Sequence, residues 1–592
     1  MSSSDYKHAK IGKFIQEPPV LENPYTSDPV LPRIVKQLLS PGEFAQVDKD
    51  LTRFGDRLLK EADELSFLVE KNPPILQQHD GWGRRVDKLH IHPAWNRLKE
   101  IAAEEGLIAI GYDESRDVFS RRIHQLAKIF LFHPFSGLVS CPLAMTDGAS
   151  KTIKELKLHE QHPDLKEAYE RLTSRDPSRA WTSGQWMTEK GGGSDVGGGC
   201  DTYAEKIDEI RHTLHGYKWF SSAIDADVTL TLARPVKDGR STSGSKGLAL
   251  FFAHVRDPKT GKLNGMQMIK LKDKLGTKQL PTAELLLDGV KALKMSEEGR
   301  GVPSIANMLN ITRIHNALAS SSGIRRTVSL ARDFATKRIA FGKKLHDWPL
   351  HLKELANIEI NARGTLLLAL EAARLLGIQE TGKSTVEEQY LLRLVTPVTK
   401  LHAGKVCVPA ISEGIENFGG QGYIEETGIP QILRDTQVTA IWEGTTNVLS
   451  LDVLRVFATT KFEALSAFAN RITGVVKLTK GGDEKLVQAG DALQAELNQL
   501  LSQLKKSQKD PNFLNALQRG ARDIGLSIGN LYTGAMLTSF AAHAEANDAD
   551  REVAHRYCTG QKLNLVDNRS FDEKLNEVDR SIIFENYGAS KL

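Results

Sequence analysis

Four cysteines in 592 residues, Cys141, Cys200, Cys407 and Cys558, are too scattered to form a disulfide framework. None belongs to a C-x-x-C pair, so a structural zinc site is not expected either, and a reducing compartment is permitted. Long hydrophobic runs are missing as well. The leucine-rich stretch from Leu366 to Leu376 is short and carries Glu371 and Arg374, so no membrane span is expected. Charge of one sign is scarce: 78 Lys and Arg stand against 74 Asp and Glu, and a net +4 advertises neither a nucleic-acid nor a membrane surface. His159-Glu160-Gln161-His162 and His90-Ile91-His92 lack the i, i+4 spacing of H-E-x-x-H, and no thiolate or carboxylate cluster accompanies them. No metal is expected there. From Met1 to Pro19 there is neither an apolar run nor an arginine, which fits neither a secretory signal nor a typical mitochondrial presequence. No internal repeat or low-complexity tract is visible.

What is present is ordinary globular material. Hydrophobic residues at 40% and charged ones at 26% exclude disorder and fibre, and the length allows about three to five domains. Five prolines between Glu17 and Pro32 read as an extended surface arm. From Ile34 to about Tyr169 apolar residues recur at three- and four-residue spacing, as in Leu58, Leu59, Leu65 and Leu68. Near Ser183 glycine becomes dense and short β-branched or aromatic runs follow, among them Val228–Leu232, Leu248–Val255 and Ala283–Leu287. The helical period returns after Gly301. Past Phe457, Leu486, Leu493, Leu497, Leu500 and Leu504 mark one amphipathic face. The expected units are therefore an arm with a helical domain at 1–182, a β domain at 183–295, and helical domains at 296–457 and 458–592. The last three residues, Ser590-Lys591-Leu592, match the address read by the peroxisomal import receptor, so the peroxisomal matrix is the expected location.

Gly377-Ile378-Gln379-Glu380-Thr381-Gly382-Lys383-Ser384 matches the P-loop pattern letter for letter. A P-loop needs a buried strand before its glycines, and the segment before these is helix-periodic, so an inter-helix loop is expected instead. The run Trp186-Met187-Thr188-Glu189-Lys190-Gly191-Gly192-Gly193-Ser194-Asp195-Val196 carries more chemistry. Its glycines let backbone approach an anionic ligand, and Thr188 and Ser194 add hydroxyls. About thirty residues on, Gly216-Tyr217-Lys218-Trp219-Phe220-Ser221-Ser222 pairs an aromatic wall with hydroxyls, as a planar heteroaromatic cofactor requires.

Together these blocks resemble the acyl-CoA dehydrogenase family, whose M-T-E-x-x-x-G-S-D and K-W-x-x-[ST] segments bracket flavin. Three further blocks match in order. Arg338-Ile339-Ala340-Phe341-Gly342-Lys343 looks like R-x-x-F-G-K, and Phe418-Gly419-Gly420-Gln421-Gly422-Tyr423 looks like G-G-x-G-[YF]. Ile441-Trp442-Glu443-Gly444-Thr445-Thr446-Asn447 looks like the [YW]-E-G-[ST] segment that carries the catalytic base. The likeness runs from about Ile34 to Phe457. Asn72-Pro73-Pro74-Ile75-Leu76, Gly83-Arg84-Arg85-Val86-Asp87 and His92-Pro93-Ala94-Trp95 resemble the AidB-like branch, as do Lys190, Trp442 and the extension after Phe457.

The resemblance implies an α+β, mainly α fold: an N-terminal helical domain, a middle β barrel, a C-terminal four-helix bundle and an extra C-terminal helical domain. It implies FAD and the α,β-dehydrogenation of medium- to long-chain fatty acyl-CoA to trans-2-enoyl-CoA, the first step of peroxisomal fatty acid β-oxidation. Glu443 would be the base. Trp186, Met187, Thr188, Ser194, Phe220, Ser221 and Ser222 would hold the flavin, with Trp442 as a flat wall and Thr445, Thr446 and Asn447 closing on it. Arg338 and Phe341 of a neighbouring subunit, beside Phe418, Gly419 and Gly420, would hold the pyrophosphate and adenosine. Ser194, Asn310, Arg313 and Gly444 would meet the substrate, although Asn310 stands where the family's aspartate is usual. A homodimer or homotetramer is implied. The electron acceptor, an electron-transfer flavoprotein or O₂ as in an oxidase, stays open. So do an acyl-CoA-sequestering flavoprotein and an AidB-like alkylation-response protein on DNA. Against the last, residues 461–592 hold 17 basic and 17 acidic side chains, so a nucleic-acid partner is not expected.

Overall fold

The computed structural model describes residues 16–507 and 513–585. The N-terminal half of the helical region starts from strong local signals. Ser40 and Glu43 form a reciprocal capping box ahead of the Pro41–Arg57 helix, with Pro41 in the first turn, where its missing N–H is harmless. That helix buries Val47, Leu51 and Phe54. The Val118–Phe132 and Ser140–Glu155 helices are covered almost all round, so their polar groups must be satisfied internally. Arg122 accordingly pairs with Asp147 and with Glu380 at 2.9 Å, and Lys128 pairs with Glu105 and Asp50, each at 2.8 Å.

Strands replace helices at Ser183. Strands β1 (Ser183–Trp186), β2 (Tyr203–Lys206), β3 (Arg211–Ser222), β4 (Val228–Val236), β5 (Ala249–His254), β6 (Met266–Leu271) and β7 (Thr282–Lys294) form one sheet. Five of them close on themselves: β4 pairs with β2, β2 with β3, β3 with β7, β7 with β5, and β5 with β4 again. The circuit is a barrel, and closure leaves these five strands no edge among themselves. β1 runs parallel to β4 ahead of β2, and β6 adds outside β7. The outer edge of β6 is stopped by the Ile75–His79/Arg85–His90 hairpin. Gln78 and Arg85 donate to the Met268 carbonyl, and Asp87 accepts from its N–H.

Helices α1 (Gly301–Lys337), α2 (Pro349–Glu380), α3 (Val386–Glu416) and α4 (Thr446–Thr459) follow. The P-loop look-alike is the end of α2 and its turn into α3. Gly382 takes the left-handed conformation there, and Glu380 is bound by Arg122 and Lys151. Beyond lie α5 (Glu463–Thr479), α6 (Glu484–Ser507), α7 (Phe513–Ala541) and α8 (Asp548–Gly560). The five leucines of the predicted α6 face are all buried. α7 lies along α4, α2 and α3, and it does so closely because it carries glycine where they meet. A Cβ on Gly529 would stand 2.8 Å from His402, and one on Gly525 would stand 3.2 Å from Leu401. No helix among the described residues is long and apolar enough to cross a membrane.

Candidate functional site

The Trp442–Asn447 segment makes a sharp turn between a short 3-10 turn and α4. Glu443 has φ +57° and Gly444 φ +105°, two successive residues in a region that L side chains avoid. Thr445 then caps α4 by accepting from the Val448 N–H. The turn aims the Glu443 carboxyl inward, where three elements converge. Its Oε2 accepts from Thr312 Oγ1 of α1 at 2.8 Å, and its Oε1 accepts from Gln185 Nε2 of β1 at 3.5 Å. Burial pushes the pKa of Glu443 up, partly offset by the Thr312 hydroxyl and by the charges of Arg313 and Lys400. From below, Lys400 of α3 donates its ammonium to the Gly444 carbonyl. With its amide set to satisfy both neighbours, Asn316 of α1 donates to the Thr439 carbonyl and accepts from Trp442 Nε1. A half-buried Trp442 is thereby fixed.

The two barrel blocks are tied together by a direct ion pair. Lys218 Nζ lies 2.6 Å from Glu189 Oε1, both buried, and Lys218 also donates to the Leu232 carbonyl. The remaining valence of Glu189 is filled by the Asp201 and Thr202 N–H groups and the Thr202 hydroxyl. Together these partners outweigh the burial that opposes ionisation, and the carboxyl is held below its ordinary range. The Thr188 carbonyl accepts from the Trp219 N–H at 2.9 Å, which places Thr188 beside the aromatic block. The glycine run folds back on itself. A Cβ on Gly199 would stand 2.6 Å from the Gly192 backbone, so close packing of main chain on main chain requires glycine there.

Of the residues expected to hold a flavin, Met187 and Thr188 are half-buried, and Ser194 and Phe220 are exposed. Lys272 lies over the Trp219 and Phe220 rings. Ser222 Oγ is 3.0 Å from Thr282 Oγ1. Trp186 is placed otherwise than expected: 2% exposed, it packs into the barrel core and spends its indole N–H on the Ser222 carbonyl, so its ring is withheld from a ligand. Two buried polar atoms are left over at this end, Ser221 Oγ and Gln185 Oε1, with no partner in the chain. Polar atoms buried without partners are costly, and a polar ring system seated at the barrel mouth would satisfy them; the residues present fit a flavin.

The second group of expected residues lies elsewhere. Beyond α1, a two-residue hairpin carries Phe341 at its tip, with φ +52° and 95% of its surface exposed. Arg338 borders an open groove of about 1800 Å³ together with Phe418, Gly419 and Gly420, and Phe418 packs on Phe334 at its floor. Glu443 does not line this groove, so one chain does not bring the two groups together. Arg313 is engaged by Asp452 of α4 at 2.9 Å, and its Nε has no hydrogen-bond partner. Asn310 is half-buried on α1, and Thr446 is buried at the start of α4. The Asn447 amide oxygen accepts from Arg522 of α7 at 3.0 Å, so the last domain reaches the edge of the site. Sequence reading did not single out Gln185, Thr312, Asn316, Lys400, Glu189 or Lys218. The last two stand inside motif blocks that were read for their neighbours.

No group of three or more His, Cys, Asp or Glu among the described residues is arranged to hold a metal ion. Four family models divide the chain between them. The adaptive response protein AidB N-terminal domain matches residues 16–176, and the acyl-CoA dehydrogenase middle domain matches 184–290. The acyl-CoA dehydrogenase C-terminal domain matches 299–457, and the acyl-CoA dehydrogenase 11 C-terminal domain-like family matches 463–584. Acyl-CoA dehydrogenase family member 11 of Caenorhabditis elegans is 54% identical over 589 residues, covering 99% of this chain and 95% of its own length. AidB of Escherichia coli is 33% identical over 73% of this chain and 78% of its own. The crystal structure of the C. elegans protein ACDH-11 in complex with C11-CoA superposes with a TM-score of 0.96 at 54% identity over the whole of both chains. The apo-form of Bd2924 does so with a TM-score of 0.79 at 40% identity, over 89% of this chain and all of that one. With an AidB-type helical domain, a barrel, a helical domain bearing Glu443 and an ACDH-11-type extension in one fold, the chain belongs to the acyl-CoA dehydrogenase family, in its AidB-like branch, a family of FAD-using oxidoreductases that act on CH–CH bonds.

Proposed function

We propose that this chain binds FAD and dehydrogenates medium- to long-chain fatty acyl-CoA at the α and β carbons, with Glu443 as the base. The observation that carries the reading is the Glu443 carboxyl itself: inward-facing, held by Thr312 and Gln185, and raised from its ordinary value by burial. FAD, when bound, supplies the acceptor for the β-hydrogen as hydride. Met187, Thr188, Ser221 and Ser222 would hold its ring at the barrel mouth, with Trp442 opposite. Thr312 fixes Oε2, while the longer contact from Gln185 leaves Oε1 the freer oxygen to accept the α-proton. A base whose pKa is raised toward the working pH takes that proton more effectively than an ordinary carboxylate. Hydrogen bonds made to the thioester carbonyl would strengthen as charge develops there. The relative crystallised with C11-CoA supports an acyl chain of that order.

The test is anaerobic mixing of purified protein with acyl-CoAs of graded length, following the flavin absorbance, and then admitting oxygen. Bleaching selective for medium or long chains supports dehydrogenation. No bleaching at any length overturns it and leaves a sequestering flavoprotein. Rapid reoxidation with peroxide would make the chain an oxidase.

Two further parts of the proposal have their own tests. Assembly into a homodimer or homotetramer is supported by the bare Phe341 tip and the open groove beside Arg338, and sedimentation velocity of Phe341→Ser against the unmutated protein checks it. Delivery to the peroxisomal matrix rests on Ser590-Lys591-Leu592, which lie outside the described residues. Imaging a tagged chain with and without those three residues decides it. Balanced charge in residues 461–592 gives a nucleic-acid role no support.

A further inference from the structure

Lys400 is 1% exposed, in the middle of α3. Among the described residues no carboxylate lies within ion-pairing distance of its ammonium, and its hydrogen bond goes to the Gly444 carbonyl. A buried cation without an anionic partner is costly. Burial accordingly pushes its pKa down to about 8, with the nearby charge of Glu443 opposing that fall. A methionine or leucine would fill the same space in α3 at lower cost, so the ammonium calls for an explanation at the one group it binds. That group is the carbonyl of the residue after Glu443, in a turn where Glu443 itself is held at φ +57°.

We infer that Lys400 is a positioning residue for Glu443: its hydrogen bond to Gly444 holds the left-handed turn that aims the carboxyl, and its buried charge favours the carboxylate over the acid. The inference rests on the proposed role of Glu443 as base. The charge of Arg313 also favours the carboxylate, but the hydrogen bond to the Gly444 carbonyl is made by Lys400. From α1, Arg313 is engaged by Asp452 of α4. From α2, Glu371 is met by Arg374 and by Arg471 of α5. On α3 itself Cys407 is a thiol with raised pKa, and His402, bonded to Asn530 of α7, is kept neutral near pH 7 by burial. On the far side stand the Cys141 thiol, pushed up to about 12, and Lys274, which donates to the Thr277 and Leu280 carbonyls. Gln185 and Thr312 are uncharged. Lys400 is thus the unpaired cation bonded to the turn.

The sign follows directly. Removing a positive charge behind a carboxylate raises its pKa, so the proton is lost at higher pH. Infrared pH-difference spectra of the FAD-loaded protein read that proton as a protonated-carboxyl band, assigned by its loss in Glu443→Gln. In Lys400→Met the midpoint should rise by about one unit, and Lys400→Arg, which keeps the charge, should return it. An unmoved midpoint in Lys400→Met, or equal movement in both variants, overturns the inference. Coupling is reciprocal, so a second measurement avoids any change at Lys400. In Glu443→Gln, ¹⁵N-lysine NMR should show the Lys400 amine titrating at lower pH than in the unmutated chain, and no change overturns the inference equally. The acid limb of acyl-CoA bleaching should follow the carboxyl midpoint. An unmutated protein that never bleaches counts against the dehydrogenase reading alone, because the infrared and NMR titrations still decide the role of Lys400.

Discussion

Two of the Glu/Lys couples inside the molecule behave in opposite ways. Glu189 and Lys218 touch at 2.6 Å inside the barrel, every lone pair of the carboxylate is occupied, and its pKa falls. Glu443 and Lys400 share a turn without touching, a carbonyl stands where the contact would be, and the carboxyl pKa rises. Burial is common to both. What differs is whether donors neutralise the carboxylate or only hold it in place. The first arrangement fastens two chain segments, whereas the second keeps a proton acceptor ready.

The largest separation of the two should come from Glu443→Gln, which is isosteric. It should slow flavin bleaching about 10²–10⁴-fold in anaerobic stopped flow while FAD stays bound. The same change at Glu189 should act on the fold. Glu189→Gln leaves Lys218 a buried, unpaired cation, and urea unfolding should show a loss of about 3–5 kcal/mol. Because the folded pKa of Glu189 is depressed, its stabilisation is present above the unfolded value near 4.5 and is lost as pH falls through the lower folded one. Glu189→Gln should therefore flatten the acid side of the stability curve, and an unchanged acid side would erase the contrast drawn here. Thr312→Val removes the hydroxyl that favours the ionised form of Glu443. The acid limb of bleaching should move up by about one unit, since a hydrogen bond to a charged group is worth about 1.5–3 kcal/mol. The smallest effect belongs to Arg522→Ala at the exposed contact with Asn447, where melting should report a change within about 0.5 kcal/mol.

Much of this is legible in the sequence. Five motif blocks in order pointed to the family, and the change from helical to strand periodicity at Ser183 and back after Gly301 marked out the barrel. The α6 leucines, spaced for one face, are buried on one face. Gln185, Thr312 and Lys400 could not be read, because each is a single residue on a different element and only packing brings them to the Glu443 turn. Trp186 was misjudged for a related reason. Side chains alternate across a strand, and the register of β1 on β4 turns this one into the core, which the block alone does not specify. Glu189 and Lys218 sit in plain view within their blocks, but motif reading favoured the hydroxyls and rings around them. A carboxylate and an ammonium twenty-nine residues apart become partners only once the segment after β1 is placed beside β3.

The cap on β6 has a meaning for the life of the molecule in a crowded solution. Five barrel strands have no exposed hydrogen-bonding edge among them, but β6 owes its silence to three side chains, Gln78, Arg85 and Asp87, on a hairpin that also presents Trp82 to solvent. Lifting that hairpin would bare the Met268 N–H and carbonyl to any passing strand. The hairpin thus covers the strand edge with side chains, one of the ways natural sheets discourage edge-to-edge pairing.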